Sequence, residues 1–410
     1  MELFVFGHQA RDPTTLPAKA PSIKVLWSSW CDAVILTADP VDQWRVQYMG
    51  TSLIPSQADH LNTCQELVSA LRGQDAQVNF FGSAMHDGLR GYVVSDLNHR
   101  RGGQDSLVLF ATDVEIEDGQ EELQRYNISG DATIYDVKLL STGHVQCSTR
   151  TRSTGDEQII QLQDLAALKR HLLETNGWKP SSTPPTPASV PLATSMPLQW
   201  GANATTTTAL MSDARVYTST FDPRYPKCLG RPYTPGRSIY EPIPYLSEIG
   251  IANITSGGYL SGAVGLDGEL YVWGQMCPAS LGKLAVLEGP MEGSDSSRKT
   301  GVDCEGEQDE FVQCLRVRIQ GREARVYHVA AGHGHVVIAA EAVKSEGDGG
   351  ACTVFVAGDN SRGQLGPGIP KGFVGKFEEV VMLRNKRVIQ VVAAGWSTLV
   401  VTNDGDKKEM

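Results

Sequence analysis

Long apolar segments are absent from this 410-residue sequence. No apolar run approaches the roughly 18 residues that a membrane-spanning helix requires. The opening residues, MELFVFGHQARDP, also lack the charged region and the longer apolar region of a signal peptide. We therefore expect a protein that is not secreted, does not enter a membrane, and resides in the cytoplasm, the nucleus or both.

Basic charge is also scarce, because 36 Lys and Arg residues stand against 47 Asp and Glu residues and leave a net charge of −11. Binding to a phosphate backbone draws its affinity from clustered Lys and Arg, so direct nucleic-acid binding is not expected. Two short basic loops, 98–103 (NHRRGG) and 384–387 (RNKR), are candidate contacts for an acidic partner. The candidate side chains are Arg100, Arg101, Arg384, Lys386 and Arg387.

No pattern of catalytic or metal-binding residues stands out. The eight cysteines include no CxxC pair, which argues against a zinc site or a redox dithiol. Ser83 and His86 are too close in sequence for a hydrolase triad, and the glycine-rich segment GDNSRGQLG lacks the GK[ST] ending of a phosphate-binding loop. We expect no enzyme, no cofactor and no metal.

Glycine, in contrast, is abundant, and 42 Gly with 21 Pro indicate many turns and an all-β chain. Small-residue corners that precede apolar runs recur at a period of about 60 residues, which is typical of a repeat architecture. Four short strands and their turns account for a unit of that size, so the period predicts a seven-bladed β-propeller of four-stranded blades. The seven corners are Ser29, Gly82, Thr142, Ala202, Gly257, Gly332 and Gly395.

The two ends of the chain predict how this propeller closes. The last unit, VVAAGWSTLVVTNDG, stops before its final strand, and the chain begins with a strand of that kind, ELFVFG. Pairing of residues 1–7 with residues 399–402 would complete the last blade and remove an exposed sheet edge. We therefore expect one closed, monomeric ring over residues 1–410.

Three further segments interrupt the repeats. Residues 58–72 and 161–174 carry leucines at helical spacing and predict two short peripheral helices outside the sheets. Residues 179–197 have the Pro, Ser and Thr content of an extended linker. This linker divides irregular copies in 1–178 from regular copies in 198–410.

An acidic, glycine-rich insertion at 288–310 stands between two regular copies, and we expect it to be irregular and mobile. Loops on a rigid scaffold carry function more often than the scaffold itself, so this insertion is a candidate partner-binding element. Its candidate side chains are Asp303, Glu305, Glu307, Asp309 and Glu310.

The best-preserved copy, within residues 326–368, carries a family resemblance. Its segments VAAGHGHVVIAAE and VFVAGDNSRGQLGPG resemble the repeat of the regulator of chromosome condensation family, and 252–274 and 389–405 resemble it as well. The resemblance implies structural roles for the repeat glycines, the repeat histidine and the turn residues. These positions are Gly257, Gly258, Trp273, Gly274, Gly332, His335, Asn360, Gly363, Gln364, Gly366 and Gly395.

Most copies depart from the family pattern. The repeat histidine survives only as His335, which we expect to hydrogen-bond turn backbone between blades rather than to bind a metal. Strand alternation predicts that His333 shares its face. Such degenerate copies are similar to the alpha-tubulin suppressor branch and to the small single-domain members of the family. That similarity implies assemblies that serve translation-factor and tRNA modification, or chromatin enzymes.

Two functions remain open. The first is a non-catalytic protein-interaction scaffold or adaptor with one or more protein partners. The second is guanine-nucleotide exchange on a small GTPase, which the family resemblance implies and which needs an acidic wedge at one ring face. The 288–310 insertion is the candidate for that wedge, and its low apolar content favours the scaffold.

Overall fold

The structure of the protein is a computed structural model. It describes residues 1–7, 19–96, 105–128, 131–174, 197–235, 240–278, 280–288, 300–304, 309–343, 350–370 and 372–403.

Strands dominate this part of the chain, as the repeats predicted. The strands are β1 (Glu2–Gly7), β2 (Ser22–Ser28), β3 (Asp32–Ala38), β4 (Trp44–Gly50), β5 (Ala76–Ser83), β6 (Gly88–Asp96), β7 (Asp105–Phe110), β8 (Leu123–Ile128), β9 (Ala132–Leu139), β10 (Val145–Thr151), β11 (Glu157–Leu162), β12 (Pro197–Ala202), β13 (Thr206–Met211), β14 (Val216–Thr220), β15 (Glu241–Pro242), β16 (Ile251–Gly257), β17 (Leu260–Gly265), β18 (Leu270–Gly274), β19 (Gly301–Cys304), β20 (Val312–Ile319), β21 (Arg322–Ala331), β22 (His335–Ala342), β23 (Cys352–Asp359), β24 (Phe373–Glu379), β25 (Arg387–Ala394) and β26 (Ser397–Asn403). The helices are α1 (Pro55–Thr63), α2 (Gln65–Arg72), α3 (Asp113–Glu117) and α4 (Leu165–Glu174).

The chain folds into two compact units. The C-terminal unit joins Met1–Lys19 to Pro197–Met410, and the middle unit is Ala20–Met196. The division falls at the end of the Pro-rich segment 179–197. The last residue of that segment already begins β12, and the rest of it lies outside the described residues.

In its described residues, the middle unit contains three antiparallel sheets with the strand orders β2-β3-β4, β5-β6-β7-β8 and β11-β10-β9. Central strands such as β3 (DAVILTA) are buried along their whole length, as expected for a strand that is covered on both faces. Side chains of neighbouring strands build two apolar clusters, one around Val34 and Tyr92 and the other around Val93 and Val145.

Consecutive corners of the middle unit are joined by hydrogen bonds. Asp32, three residues after the corner Ser29, is fully buried, and its carboxylate accepts a hydrogen bond from the Leu89 N–H at 2.9 Å. The Trp30 N–H donates to the Ala84 carbonyl, also at 2.9 Å. The Asp32 carboxylate therefore links two neighbouring copies. It stands three residues after its corner, as His335 stands three residues after the corner Gly332.

The first predicted helix needs correction. Residues 58–72 form two helices, α1 and α2, rather than one, because Cys64 between them has an extended backbone with ψ of 98°. The predicted apolar face is confirmed, since Leu61 and Leu67 are buried in the cluster that covers the sheets.

The other helices also differ from prediction. Helix α4 confirms a helix within 161–174, but Leu173, one of the leucines at helical spacing in this segment, is 65% exposed. Helix α3 was not predicted, although Thr112 and Glu115 form the capping box that marks its start. The described residues therefore contain four α-helices rather than two, and none is long and apolar enough to cross a bilayer.

In its described residues, the C-terminal unit contains a sheet of order β12-β13-β14-β15, a sheet of order β1-β26-β25, and one nine-stranded sheet that spans β16 to β24. The long sheet joins two copies through the β20–β21 hairpin. Its turn residues Gln320 and Gly321 have φ of 55° and 80°, as a two-residue type I′ turn requires. The described sheets thus have three, four or nine strands, where uniform four-stranded blades were predicted.

Part of the acidic insertion is a regular strand. Strand β19 pairs antiparallel with β20, and Val302 of β19 is buried in the main apolar cluster of the C-terminal unit. The expectation of an irregular insertion is therefore wrong for residues 301–304, because this single apolar side chain anchors the segment to the sheet. Residues 289–299 and 305–308 lie outside the described part of the insertion.

The predicted pairing of the chain ends is confirmed. Strand β1 pairs antiparallel with β26, in a register that runs from Glu2 opposite Thr402 to Gly7 opposite Ser397. Phe6 is buried in the apolar cluster of this region. Backbone hydrogen bonds between the first and last strands thus complete the β1-β26-β25 sheet.

Candidate partner-binding surface

Hydrogen bonds tie successive corners of the C-terminal unit together, and at the middle pair the Ala331 N–H donates to Thr255 Oγ1 at 3.0 Å. The strands that precede these corners, β12, β16, β21 and β25, lie beside one another in that order. The Ala204 N–H donates to the Gly258 carbonyl at 2.6 Å, and the His333 N–H donates to the Gly395 carbonyl at 2.8 Å. The residues at the corners are therefore held in fixed positions relative to one another.

Four ring side chains follow this line of corners, and we name Tyr225, Tyr259, His333 and Trp396 the aromatic row. Tyr225 and Tyr259 meet edge to face with ring centroids 5.0 Å apart, and His333 and Trp396 do so at 5.4 Å. Cys277 connects the two pairs, because it contacts the Tyr259 backbone and its Sγ lies 3.7 Å from His333 Nδ1. All five side chains are partly exposed.

The centre of the aromatic row carries no charge at neutral pH. Burial raises the pKa of the Cys277 thiol to about 12, with the Asp359 carboxylate acting in the same direction. Burial also lowers the pKa of the His333 imidazole. The pair is therefore a neutral thiol beside a neutral imidazole, which differs from the thiolate and imidazolium of a cysteine nucleophile.

A cation borders the aromatic row at its Tyr225 end. The guanidinium of Arg224 lies over the Tyr225 ring, 5.7 Å from its centroid, and its side chain is 78% exposed. Arg224 also donates two hydrogen bonds to Asp222, at 2.8 and 2.7 Å, which hold the guanidinium in place. The surface thus combines tyrosine, tryptophan and arginine.

His335 lies beneath this surface rather than on it. The side chain is fully buried, and its Nε2 is 3.0 Å from Thr398 Oγ1 of the following copy. Burial lowers the pKa of His335 to about 4, so the imidazole is neutral. The prediction that His333 shares its face is wrong, because His333 lies in the turn before β22 and not in the strand. Among the described residues, no three His, Cys, Asp or Glu side chains converge on a possible metal position.

The glycines of the repeat allow close backbone approaches. A Cβ atom on Gly257 would lie 2.0 Å from the Ala331 carbonyl oxygen, and one on Gly332 would lie 2.1 Å from His335 Cε1. Other repeat glycines adopt the left-handed backbone conformation. These are Gly258, Gly274, Gly363, Gly366 and Gly395.

The remaining repeat positions are buried in the turns and the core. Trp273 is fully buried in a cluster with Leu246 and Tyr271. The Asn360 side chain donates to the Pro370 carbonyl at 2.8 Å. Further contacts of these turn residues are equally local: Asn360 also donates to the Ile369 carbonyl and accepts from the Leu365 N–H, and buried Gln364 accepts from the Arg362 N–H.

The basic loop 384–387 is far from the aromatic row, and its charges are largely paired. It stands at the start of β25 and Trp396 follows the end of that strand, which is about 25 Å for eight residues. Arg384 donates to Glu379 at 2.9 Å, and Lys386 donates to Glu2 at 2.7 Å. Arg387 is exposed, whereas Arg100 and Arg101 of the other basic loop lie outside the described residues.

The acidic candidates are also engaged within the fold. Asp303 stands opposite Arg316 in the β19–β20 ladder. Asp309 accepts hydrogen bonds from the backbone N–H groups of Phe311 and Val312, at 2.9 and 3.0 Å. Glu310 is exposed, and Glu305 and Glu307 lie outside the described residues.

Sequence reasoning did not single out Tyr225, Tyr259 or Trp396. A signal for two of them exists, because Tyr259 and Trp396 stand within two positions of the corners Gly257 and Gly395. His333 follows the intervening corner in the same way. An aromatic or imidazole ring after each of three successive corners could therefore have been noticed.

No family model matches the sequence, and no curated protein matches it. Solved structures do match. Prp20p from Saccharomyces cerevisiae, described with its binding to Gsp1p and histones, is 12% identical over 98% of this chain and 91% of its own, with a TM-score of 0.54. Yeast RCC1 (Prp20) bound to Kap60 is 13% identical over 98% of this chain and 88% of its own, with the same TM-score of 0.54. Human WBSCR16, 12% identical over 98% of this chain and 100% of its own, has a TM-score of 0.40.

These matches agree with a mostly β chain built from small antiparallel sheets. At such low identity they establish a shared fold. The chain therefore has the propeller fold of the regulator of chromosome condensation, which confirms the resemblance that its repeat motifs indicated.

Proposed function

We propose that this chain is a non-catalytic propeller scaffold that binds a protein partner through the aromatic row. The observation that carries the proposal is the continuous, partly exposed line from Tyr225 to Trp396, held on hydrogen-bonded corners. We extend the proposal to a closed, monomeric ring of seven blades without a cofactor, located in the cytoplasm or the nucleus. By resemblance, its partners belong to assemblies for tRNA or translation-factor modification, or to chromatin enzymes.

The composition of the row supports this proposal. Tyrosine, tryptophan and arginine dominate the residues that carry binding energy at protein interfaces, because they combine large apolar area with a polar or charged tip. Arg224, which lies over the Tyr225 ring, supplies the cation. Because the Cys277–His333 pair is neutral, removing water from the centre of the row costs less free energy than it would for a charged pair. The corner hydrogen bonds hold the backbone beneath the rings, and the edge-to-face contacts restrict the rings themselves, so less side-chain entropy is lost on binding.

Guanine-nucleotide exchange on a small GTPase is the second candidate. It is favoured by the match to Prp20p, which binds Gsp1p. Exchange needs acidic side chains that project toward the phosphate and metal site of the GTPase. Asp303 lies in a sheet ladder, and the Asp309 carboxylate accepts two backbone hydrogen bonds that hold it within the fold. We therefore place the scaffold first.

The test begins with recovery of partners on the tagged full-length chain and their identification by mass spectrometry. The dissociation constant of the purified partner is then measured for Tyr225→Ala and Trp396→Ala. Truncation of an interface anchor costs about 2 kcal/mol or more, so each variant is expected to bind about 30-fold more weakly. The control is Tyr233→Ala, because Tyr233 is a 39% exposed tyrosine of the same unit outside the row.

Two results would overturn the scaffold proposal. Wild-type affinity in both row variants would remove the aromatic row as the binding surface. Accelerated nucleotide release from a recovered GTPase, lost on deletion of residues 289–299, would instead establish exchange.

A further inference from the structure

A cleft of about 620 Å³ opens in the middle unit, between the turn that joins β3 to β4 and helix α2. The turn side contributes Asp42 and Trp44, and the helix contributes Val68, Ser69 and Arg72. All of these residues lie within Ala20–Met196, so the cleft belongs to a different unit from the aromatic row.

A guanidinium of the chain itself occupies part of this cleft. Arg72 lies over the Trp44 ring, with its Cζ 5.4 Å from the ring centroid. The Asp42 carboxylate accepts the Trp44 Nε1–H at 2.7 Å through one oxygen and the Arg72 guanidinium at 3.3 Å through the other. An indole face and a carboxylate both stabilise a positive charge. The cleft therefore already contains a binding site for a guanidinium.

The turn that carries Asp42 holds the carboxylate in this place. The Asp39 carboxylate accepts the N–H groups of Val41 and Gln43 at 3.0 and 2.8 Å, and the Asp39 carbonyl accepts the Asp42 N–H at 3.0 Å. Asp42 has a left-handed backbone with φ of 60°, which aspartate adopts more readily than most residues. The turn therefore positions the carboxylate without help from Arg72.

Arg72 is held less firmly than this frame. Its side chain is 47% exposed and that of Asp42 is 73% exposed, so water and salt screen their attraction. Among the described residues, Asp42 is the one acidic side chain that pairs with Arg72. Another guanidinium can therefore take the place of Arg72 between the indole and the carboxylate.

The cleft attracts a cation once Arg72 leaves it. Asp42 and Arg72 are the charged residues of the cleft wall, so displacement of the arginine leaves one carboxylate without its partner. Helix α2 ends at Arg72, and the carbonyl groups of its last turn add partial negative charge. Arg45 follows Trp44 in β4 and lies on the opposite face of the strand.

The chemistry of the site selects an arginine within a peptide. A planar guanidinium stacks on an indole and binds a carboxylate at two points, whereas an ammonium group does neither as well. Gln43, Gln65 and Ser69 are exposed in the cleft wall and offer amide and hydroxyl groups to a peptide backbone. A volume of about 620 Å³ also lies within the range of ligand sites.

We propose that this cleft binds an arginine side chain of a basic peptide, which displaces Arg72 from its position between Trp44 and Asp42. In the free protein Arg72 competes with the peptide, and the apparent affinity is reduced by the fraction of molecules in which Arg72 holds the site. The proposal does not rest on the aromatic row, because peptide binding is measured on the isolated protein and involves the other unit.

The experiment is isothermal titration calorimetry of the full-length protein with a capped nonapeptide of glycine and three arginines, at low ionic strength. Arg72→Ala is expected to bind this peptide about two- to tenfold more tightly than the wild type, because the competitor is removed. Asp42→Asn and Trp44→Ala are expected to weaken binding about tenfold or more. A peptide with three glutamates in place of the arginines is expected not to bind.

The matched control is Arg215→Ala, which changes the net charge by the same amount in the C-terminal unit. Arg215 is 52% exposed and pairs with Asp213 at 4.0 Å, and its removal should leave the affinity at the wild-type value. The proposal is overturned if Arg72→Ala binds no more tightly than this control, if Asp42→Asn keeps wild-type affinity, or if the glutamate peptide binds equally well. Trp44 packs against the apolar cluster around Val34 and Tyr92, so Trp44→Ala can unfold. Asp42→Asn, on an exposed turn, then decides the matter.

Discussion

Replacement of Asp32 tests whether hydrogen bonds between copies stabilise the middle unit. One carboxylate oxygen accepts from the Tyr48 hydroxyl at 2.5 Å and from the N–H groups of Thr51 and Ser52 at 3.2 and 3.1 Å. The other oxygen accepts from the Leu89 N–H at 2.9 Å and from the Ser52 hydroxyl. Asp32 itself is fully buried.

The magnitude follows from the donors that would lose their acceptor. Each buried donor left without a partner costs about 1–3 kcal/mol. In Asp32→Ala the buried Leu89 N–H keeps only its longer hydrogen bond to the Ser52 hydroxyl, at 3.2 Å, and the partly buried Tyr48 hydroxyl loses the Asp32 acceptor. Thr51 is exposed and Ser52 is partly exposed, so water can reach their N–H groups. We expect Asp32→Ala to lower the free energy of unfolding by about 3–5 kcal/mol. Asp32→Asn keeps one acceptor oxygen but places its NH2 group opposite a backbone N–H donor. We expect it to lower the free energy of unfolding by about 1–3 kcal/mol.

The measurement is urea denaturation combined with hydrogen exchange of the peptide that contains the Leu89 amide. A local readout is needed because a chain of two units does not have to unfold in one step. The control, Asp59→Asn, makes the same charge change at an exposed helical position and should stay within about 0.5 kcal/mol of wild type. If Asp32→Ala matches this control and the Leu89 amide keeps its protection, the reasoning is refuted.

Two further predictions concern a glycine and a carboxylate. Gly332→Ala would bring a Cβ 2.1 Å from the buried His335 ring and should lower the free energy of unfolding by about 2–3 kcal/mol. Gly363→Ala, with φ of 83° and nothing within 4 Å of the new Cβ, should lower it by about 1 kcal/mol. Equal shifts of the unfolding temperature in the two variants would contradict this prediction. Burial by itself would raise the pKa of Glu115, but the Thr112 N–H, Arg90 and Lys169 outweigh it and lower the pKa to about 2. Because the folded pKa is depressed, the stabilisation is present above about pH 4.5 and is lost as the pH falls toward 2, so wild type should lose stability faster than Glu115→Gln in that range. If the free energy of unfolding falls equally with pH in the two proteins, the prediction is wrong.

Features that depend on local pattern were open to prediction. The pairing of β1 with β26 could be predicted because the last copy lacks a strand and the first residues supply one, and the observed register confirms it. The helix face that contains Leu61 and Leu67 was predicted from spacing alone. The break at Cys64 was not, because one residue in an extended conformation leaves no mark on the apolar periodicity.

The charges in the sequence did not reveal which neighbours the candidate side chains have within the chain. Arg384 and Lys386 were predicted to face a partner, yet their carboxylate partners are Glu379, five residues away, and Glu2, at the other end of the chain. Asp303 was assigned to a mobile insertion but stands in a strand opposite Arg316. Such neighbours depend on which strands pair and which segments of the chain meet, and net charge and loop composition do not contain that information.

The sequence by itself determined the repeat, the mostly β class and the pairing of the chain ends, because hydrogen-bonded turns and alternating strands are read from near neighbours along the chain. Only the tertiary structure decided that Tyr225, Tyr259, Cys277, His333 and Trp396 form one surface. These residues come from four copies, and each copy supplies its ring or thiol from a turn or loop. These side chains contact one another because successive corners lie close together. That distance is set by the packing of whole sheets, and the sequence of a single copy does not encode it.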